Sequence, residues 1–435
     1  MAEDRSWRPP GTSATPDSFG FESLVLHGIE RARGARRYCI VALVSLNGVD
    51  ELAAAAGSDV GRQVTWRCMS RLRDLLDPDD AVVELAPGLI GLVATVADMS
   101  HLRRSTRAME QALARSLMVE GLGTVQVPAS IGVKVADHHG DAGRSVYDAN
   151  VALHEAERRR PHQQTTVVFD EMLRANVRAQ FKERQQIIRA FRAEEFVLHY
   201  QPLVQLRGGQ VTGCEALLRW PDDHERLPGP TTIVPVLEET GLVSALGAMV
   251  RTKALRDVAT ALRRSPGLLL SVNMSPLELA QSGLAEDVER VCGAAAVNPR
   301  QLCLELTETA LVAVQGEFSR YEQLVRLRRL GVKLAIDDFG TGFSALNYLK
   351  SLPVDIVKID RSFVIGVDRH PADRVLVDSV TRVAHALGLT VVAEGVETES
   401  QRATLAAIGV DQAQGYLFGR PAQPEEFLAL AGVAG

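Results

Sequence analysis

The sequence predicts an α/β chain in which a modified (β/α)8 barrel follows a smaller α+β domain. Short aliphatic runs recur along the second half: VTGCEALLRW, LLLSVNMSP, LCLELTET, KLAIDDFGTGFS, VDIVKIDRSF, TVVAEGVET and DQAQGYLFGRP. Helix-like stretches long enough for a crossover separate them. Each run delivers a polar residue near its end: Glu215, Asn273, Glu305, Asp337 with Asp338, Lys358, Glu394 and Gln414. Parallel strands joined by helices close into a barrel and gather their ends on one face. Carboxylates brought together there repel one another unless a cation neutralises them. The pattern predicts a metal-dependent site.

Residues 1–20 read as a disordered lead rich in Pro, Ser and Thr. Residues 21–170 read as the α+β domain. RYCIVALVSL is a strand, GSDVGRQVTWRCMSRLRDLL an amphipathic helix, and AVVELAPGLIGLVATV two strands around a Pro-Gly turn. SHLRRSTRAMEQALARSLM is a second helix, VQVPASIGVKVA a strand and SVYDANVALHEAERR a third helix. That order suggests helices on a largely antiparallel sheet. Residues 171–190 form a linker helix, in a charged stretch whose Met172, Leu173, Val177, Phe181, Ile187, Ile188 and Phe191 recur at roughly helical spacing. Residues 191–435 form the barrel. FVLHYQPLVQL and GQVTGCEALLRW flank Arg207-Gly208-Gly209, a hairpin signal, so one barrel strand runs antiparallel to its neighbours.

Composition narrows the function classes. The chain has 435 residues and a formal charge of −6, from 48 basic and 54 acidic side chains. That balance gives no pull toward duplex nucleic acid or an anionic membrane. No apolar run reaches membrane-spanning length, and the first residues lack a signal-peptide core. The cysteines, Cys39, Cys68, Cys214, Cys292 and Cys303, are scattered in apolar surroundings and read as buried reduced thiols of a cytoplasmic protein. His138-His139 reads as a solvated loop.

Taken singly, the polar residues have plainer readings. Glu215 suits a rim pair, Asn273 before Ser-Pro a turn or helix cap, Asp337-Asp338 a turn, and Lys358 a surface ion pair. Together, in this order, they resemble the EAL family of cyclic di-GMP phosphodiesterases of bacterial signalling. The resemblance covers the second half: the triplet Glu215-Ala216-Leu217, the preceding YQPLV, the following LLRW and each downstream run.

The resemblance implies a TIM-like barrel that hydrolyses cyclic di-GMP to linear pGpG with two Mg²⁺ or Mn²⁺ ions. Glu215, Asn273, Glu305 and Asp337 would hold one ion. Asp337 would bridge to the second, completed by Asp338 and Glu394. Lys358 would orient the attacking water, with its pKa lowered by the ions, and Gln414 would join the water network. Gln201, Leu217 and Arg219 would contact the substrate. Glu308 would anchor a mobile loop, Asp338 to Ser344, in which Phe343 stands where the family usually has Tyr. A homodimer through the barrel domain is implied as well. The runner-up reading is a cyclic di-GMP receptor or interaction module without turnover.

The first half resembles a degenerate GGDEF (diguanylate cyclase) domain, of nucleotidyl-cyclase-like fold, in VALVSLNGVDELAAAAGSDVG, PASIGVKVA and DANVALHEAERR. At the family's signature hairpin the chain reads Ala86-Pro87-Gly88-Leu89-Ile90, a metal-ligand aspartate falls on Ser45, and the Arg of an Arg-x-x-Asp motif falls on Asp77. No cyclase activity is expected. A regulatory or packing role is, with GTP as a candidate ligand.

Overall fold

The computed structural model describes residues 18–119, 121–159, 165–220, 229–281, 283–308, 310, 318–340, 349–350 and 352–432. The chain divides into two compact units, Met1–Glu183 and Arg184–Gly435. The division falls inside the helix Glu171–Arg192, which continues two residues beyond the expected linker helix.

The first unit is built on β1 (Tyr38–Leu46), β2 (Ala81–Ala86), β3 (Leu89–Val96), β6 (Ala129–Ala136) and β7 (Thr165–Val168), in sheet order β2-β3-β1-β6-β7. All pairs are antiparallel except β6 with β7. Central β1 is buried on both faces, so its sequence is a continuous aliphatic run. Ile40, Ala42 and Val44 pack with Val64, Cys68 and Leu72 of helix Ser58–Arg73. Val41 and Leu43 pack with Phe21, Val25 and Ile29 of helix Ser18–Ala35.

Three features of this unit differ from the sequence expectation. Helix Ser18–Ala35 begins inside the stretch read as a disordered lead, and residues 1–17 lie outside the described residues. Its buried Phe21, Val25, Ile29 and Ala32 recur at helical spacing, which is the signal that reveals it. The expected second helix stops at Leu113, and Leu117–Val119 forms β4, paired with β5 (Gly123–Val125). The strand expected from Val125 starts at Ala129, because Pro128 has no N–H for a ladder.

The second unit is a closed barrel of β8 (Val197–Gln205), β9 (Val211–Arg219), β10 (Leu269–Asn273), β11 (Leu302–Thr307), β12 (Lys333–Phe339), β13 (Ile356–Ile359), β14 (Thr390–Ala393) and β15 (Gln412–Gln414). Strands β9 through β15 pair in parallel. Strand β8 runs antiparallel to both its neighbours, β9 and β15. Helices such as Val243–Arg264 and Pro371–Ala386 cover the outside through Leu255, Val258, Val377 and Ala384. Each fully buried aliphatic side chain contributes roughly 1.5–3 kcal/mol. Closure brings the ends of the parallel strands to one mouth. Among the described residues, no helix is long and apolar enough to cross a membrane.

Candidate active site

The barrel mouth collects polar side chains from every strand. Glu215 of β9 stands in register with Gln201 of β8 and Ser271 of β10. Asn273 of β10 is opposite Glu305 of β11, and Thr307 of β11 is opposite Asp337 of β12. Lys358 lies in β13, Glu394 directly follows β14, and Gln414 ends β15.

Lys358 is the hub. Its Nζ lies 2.6 Å from Glu305 Oε2, 2.6 Å from Glu394 Oε1, 3.0 Å from Asp337 Oδ1 and 3.3 Å from Glu215 Oε2. Lys358 is 2% exposed and Glu305 2%. An ammonium has three N–H groups, so four carboxylates cannot all be satisfied by it. Burial works against the charged Lys358, but Glu215, Glu305, Glu394 and Asp337 outweigh it and hold its pKa well above the ordinary lysine range. The protein's own carboxylates set this direction, and the expected lowering concerns the site with its ions bound.

The carboxylates respond in the same direction. Burial, with Glu215 and Asp337, pushes Glu305 far up against the pull of Lys358. Burial, with Asp337 and Glu215, raises Glu394 to about 8. Burial and the adjacent Asp337 raise Asp338. Five carboxylates crowd around one ammonium, and the raised carboxyl values are the mark of a negative-charge excess that a bound cation would relieve.

Consecutive strand residues point to opposite faces, yet Asp337 and Asp338 each bring a carboxylate oxygen close to Glu394. The register of β12 with β13 shifts between Ile336 and Phe339. Asp338 sits in the left-handed region at φ 53°, where Asp is tolerated better than most residues. This bulge lets one ligand atom each from Asp337, Asp338 and Glu394 lie within 4.8 Å of one another. Asp337 Oδ1 is buried and meets Lys358 Nζ off the hydrogen-bonding direction. Among the described residues, no hydrogen-bond donor reaches the buried Gln414 Oε1. Hard oxygen donors at this spacing fit Mg²⁺ or Mn²⁺.

The remaining expected residues are placed as follows. Asn273 Nδ2 donates to Glu215 Oε1 at 2.6 Å, which leaves its carbonyl oxygen as the atom able to ligate. Gln414 Nε2 donates to Glu215 Oε2 at 2.7 Å and to Gln201 Oε1 at 2.9 Å. Glu308 accepts from Gly340 N at 3.1 Å. Residues 341–344 of the expected mobile loop, with Phe343, lie outside the described residues. Gln201, Glu215, Leu217, Asn273, Asp337, Glu394 and Gln414 line an open cleft of about 290 Å³. Arg219 is outside that lining and donates to the Leu218 carbonyl at 2.7 Å.

Arg361, Glu397 and Tyr416 also line the cleft, and sequence reasoning missed them. Arg361 Nη2 pairs with Glu397 Oε1 at 2.7 Å. Their signal was position: each lies two or three residues beyond a strand-end residue already singled out. Gly395 makes room for Arg361, since a Cβ there would collide with the arginine stem, and its φ of +68° favours glycine.

An acidic cleft at the strand-end mouth of a closed, mostly parallel barrel defines an α/β barrel protein suited to oxygen-ligated divalent cations. The chain belongs to the EAL domain family, whose model matches residues 184–421. It is 30% identical over 413 residues to the cyclic di-GMP phosphodiesterase NbdA of Pseudomonas aeruginosa, covering 94% of this chain and 52% of that protein. It is 36% identical over 242 residues to the cyclic di-GMP phosphodiesterase RocR of the same organism, covering 56% of this chain and 61% of that protein. A solved structure of the PaMucR phosphodiesterase in complex with c-di-GMP superposes with a TM-score of 0.52 at 36% identity, over 56% of this chain and 100% of that one. The chain spans about half the length of the first curated relatives it matches.

Proposed function

We propose that the chain hydrolyses cyclic di-GMP to linear pGpG with two divalent cations, Mg²⁺ or Mn²⁺. One observation carries the reading: Glu215, Glu305, Asp337 and Glu394 all converge on buried Lys358 within 3.3 Å, and Glu215, Asp337 and Glu394 also line the cleft. Glu215, Asn273, Glu305 and Asp337 hold one ion, and Asp337, Asp338 and Glu394 hold the other. Bound there, the cations supply Lewis acidity for the phosphoryl oxygens and a more acidic water.

The chain's own groups do the positioning. Lys358 holds the water for attack on phosphorus and balances the carboxylates around it. Gln414, fixed by Glu215 and Gln201, turns its free Oε1 to that water as an acceptor. Gln201, Leu217 and Arg219 contact the dinucleotide, Arg219 through a guanidinium suited to phosphate. Glu308 fixes Gly340 at the start of the loop that follows β12.

In this reading the first unit is a GGDEF-like domain without cyclase activity. Ser45 and Leu89 are direct partners across β1 and β3, and neither supplies a carboxylate for a triphosphate-bound metal. Its role is regulatory or structural, with GTP as a candidate effector. Pairing of two copies through the barrel unit completes the proposal. The five cysteines are all free and buried, which suits the reducing cytoplasm.

The test is chromatography of purified protein incubated with cyclic di-GMP and Mn²⁺ or Mg²⁺, with and without GTP. Linear pGpG is the expected product. Tight binding of cyclic di-GMP with no product in either metal would replace the enzyme with a receptor.

A further inference from the structure

The turn that follows Asn273 rests on a buried charge pair outside the cleft. Ser275 N donates to Glu278 Oε1 at 3.1 Å, and Arg251 Nη1 donates to Glu278 Oε2 at 2.5 Å. Arg251 Nη2 also reaches Asp287 Oδ2 at 3.2 Å. Arg251 is 2% exposed and Glu278 3%. The Ser275 hydroxyl donates to Glu238 Oε1 at 2.6 Å and accepts from Leu277 N at 3.2 Å. Met274 N donates to the Glu305 carbonyl at 2.9 Å. The backbone just beyond Asn273 is thus tied to a strand that carries one site carboxylate and to helix Val243–Arg264 behind it.

That helix is shaped for the carboxylate. Gly247 lies one turn before Arg251, and a Cβ at Gly247 would collide with the Glu278 carboxyl. Charges this deeply buried add little stability over an apolar pair of similar size. What the pair does provide is direction: a fully buried carboxylate bonded to a guanidinium and to one backbone amide admits few alternative arrangements.

We propose that Arg251 and Glu278 are positioning residues that set the Asn273–Ser275 turn and thereby aim Asn273 at Glu215 and at the divalent cation. The inference rests on the metal site of the proposed function. Asn273 Nδ2 meets Glu215 Oε1 at 2.6 Å, so displacement of the turn disturbs two members of that site together.

The experiment uses the full chain. Free Mn²⁺ is measured by electron paramagnetic resonance during titration, and amide hydrogen exchange is followed across residues 274–278. Glu278→Leu, which removes the acceptor of the Ser275 amide, is expected to weaken Mn²⁺ binding about tenfold, as loss of partners behind metal ligands does, to speed exchange in the turn, and to lower the melting temperature because Arg251 is left buried without Glu278. Arg251→Met with Glu278→Leu separates position from stability. The double variant should melt close to wild type yet keep the weakened Mn²⁺ binding, because Leu offers Ser275 no acceptor. Asp287→Asn, which leaves the Ser275 bond intact, should leave Mn²⁺ binding unchanged.

Wild-type Mn²⁺ affinity in Glu278→Leu, or affinity that returns with the melting temperature in the double variant, overturns the inference. A wild-type chain that binds no Mn²⁺ overturns the metal site itself. The exchange measurement, which needs no metal, then still decides whether the pair holds the turn.

Discussion

Lys358 Nζ stands 2.6 Å from Glu305 Oε2 although their strands, β13 and β11, are separated by β12. The contact crosses the barrel interior, where side chains from non-adjacent strands meet in layers. It makes one lysine the common neighbour of carboxylates on β9, β11 and β12 and of Glu394 beyond β14.

Lys358→Met should reduce cyclic di-GMP turnover by roughly 10²–10⁴-fold, the range for loss of a positioned proton-handling group. The same change leaves four buried carboxylates facing each other. The metal-free variant should therefore melt below wild type and recover with Mn²⁺. Steady-state hydrolysis and calorimetric melting check the two halves. A variant with wild-type turnover would remove Lys358 from the mechanism.

Asp338→Asn and Asp338→Ala should separate charge from backbone conformation. Asn tolerates the left-handed region, so Asp338→Asn weakens Mn²⁺ binding with little loss of stability. Asp338→Ala weakens Mn²⁺ binding too and also destabilises by about 1 kcal/mol, the lower bound for an ordinary residue at positive φ. Mn²⁺ titration and urea unfolding distinguish them. Equal stability for the two variants would show that the bulge does not depend on the residue at 338.

Glu394 gives a pH dependence. Its carboxyl is raised to about 8, with burial as the leading cause. A raised folded-state value means that the native metal-free protein binds this proton more tightly than the unfolded chain does. Its stability therefore falls as pH rises from the ordinary glutamate range toward about 8. A cation competes with the same proton, so Mn²⁺ affinity should rise across that window. Glu394→Gln should flatten both curves. Melting and Mn²⁺ titrations across the window provide the check, and a flat wild-type affinity would count against Glu394 as a ligand.

Metal removal should be visible in stability as well as in activity. At a free Mn²⁺ concentration a hundredfold above Kd, linkage adds about 2.7 kcal/mol. Chelation should lower the melting temperature of the barrel unit and stop hydrolysis, and added Mn²⁺ should restore both. A melting temperature indifferent to metal would place the binding elsewhere or nowhere.

The cysteines should be inert in the native chain. Burial raises Cys39 to about 12, and Cys68 and Cys292 to about 11. Thiolate is the reactive form, so a thiol reagent at mildly alkaline pH should label them only after unfolding. Rapid labelling of the folded protein would contradict their burial.

The barrel was legible because each parallel strand is buried on both sides and so reads as an aliphatic run, as in LCLEL or TVVA. Its site was legible because barrel closure turns a repeated sequence position, the strand end, into one location. Arg361, Glu397 and Tyr416 escaped because their place on the cleft depends on how the chain bends after each strand. Helix Ser18–Ala35 was missed although Phe21, Val25 and Ile29 mark its buried face.

By itself, the sequence determined the strand-end chemistry and the hairpin that reverses β8, since both follow from local residue pattern. Only the tertiary structure decided that Lys358 sits among four carboxylates, that a bulge brings Asp337 and Asp338 both close to Glu394, and that Arg251 and Glu278 brace the turn after Asn273. The lysine cluster and the Arg251–Glu278 pair join residues far apart in the chain, and their distances and pKa directions exist only once burial has removed water from between the charges.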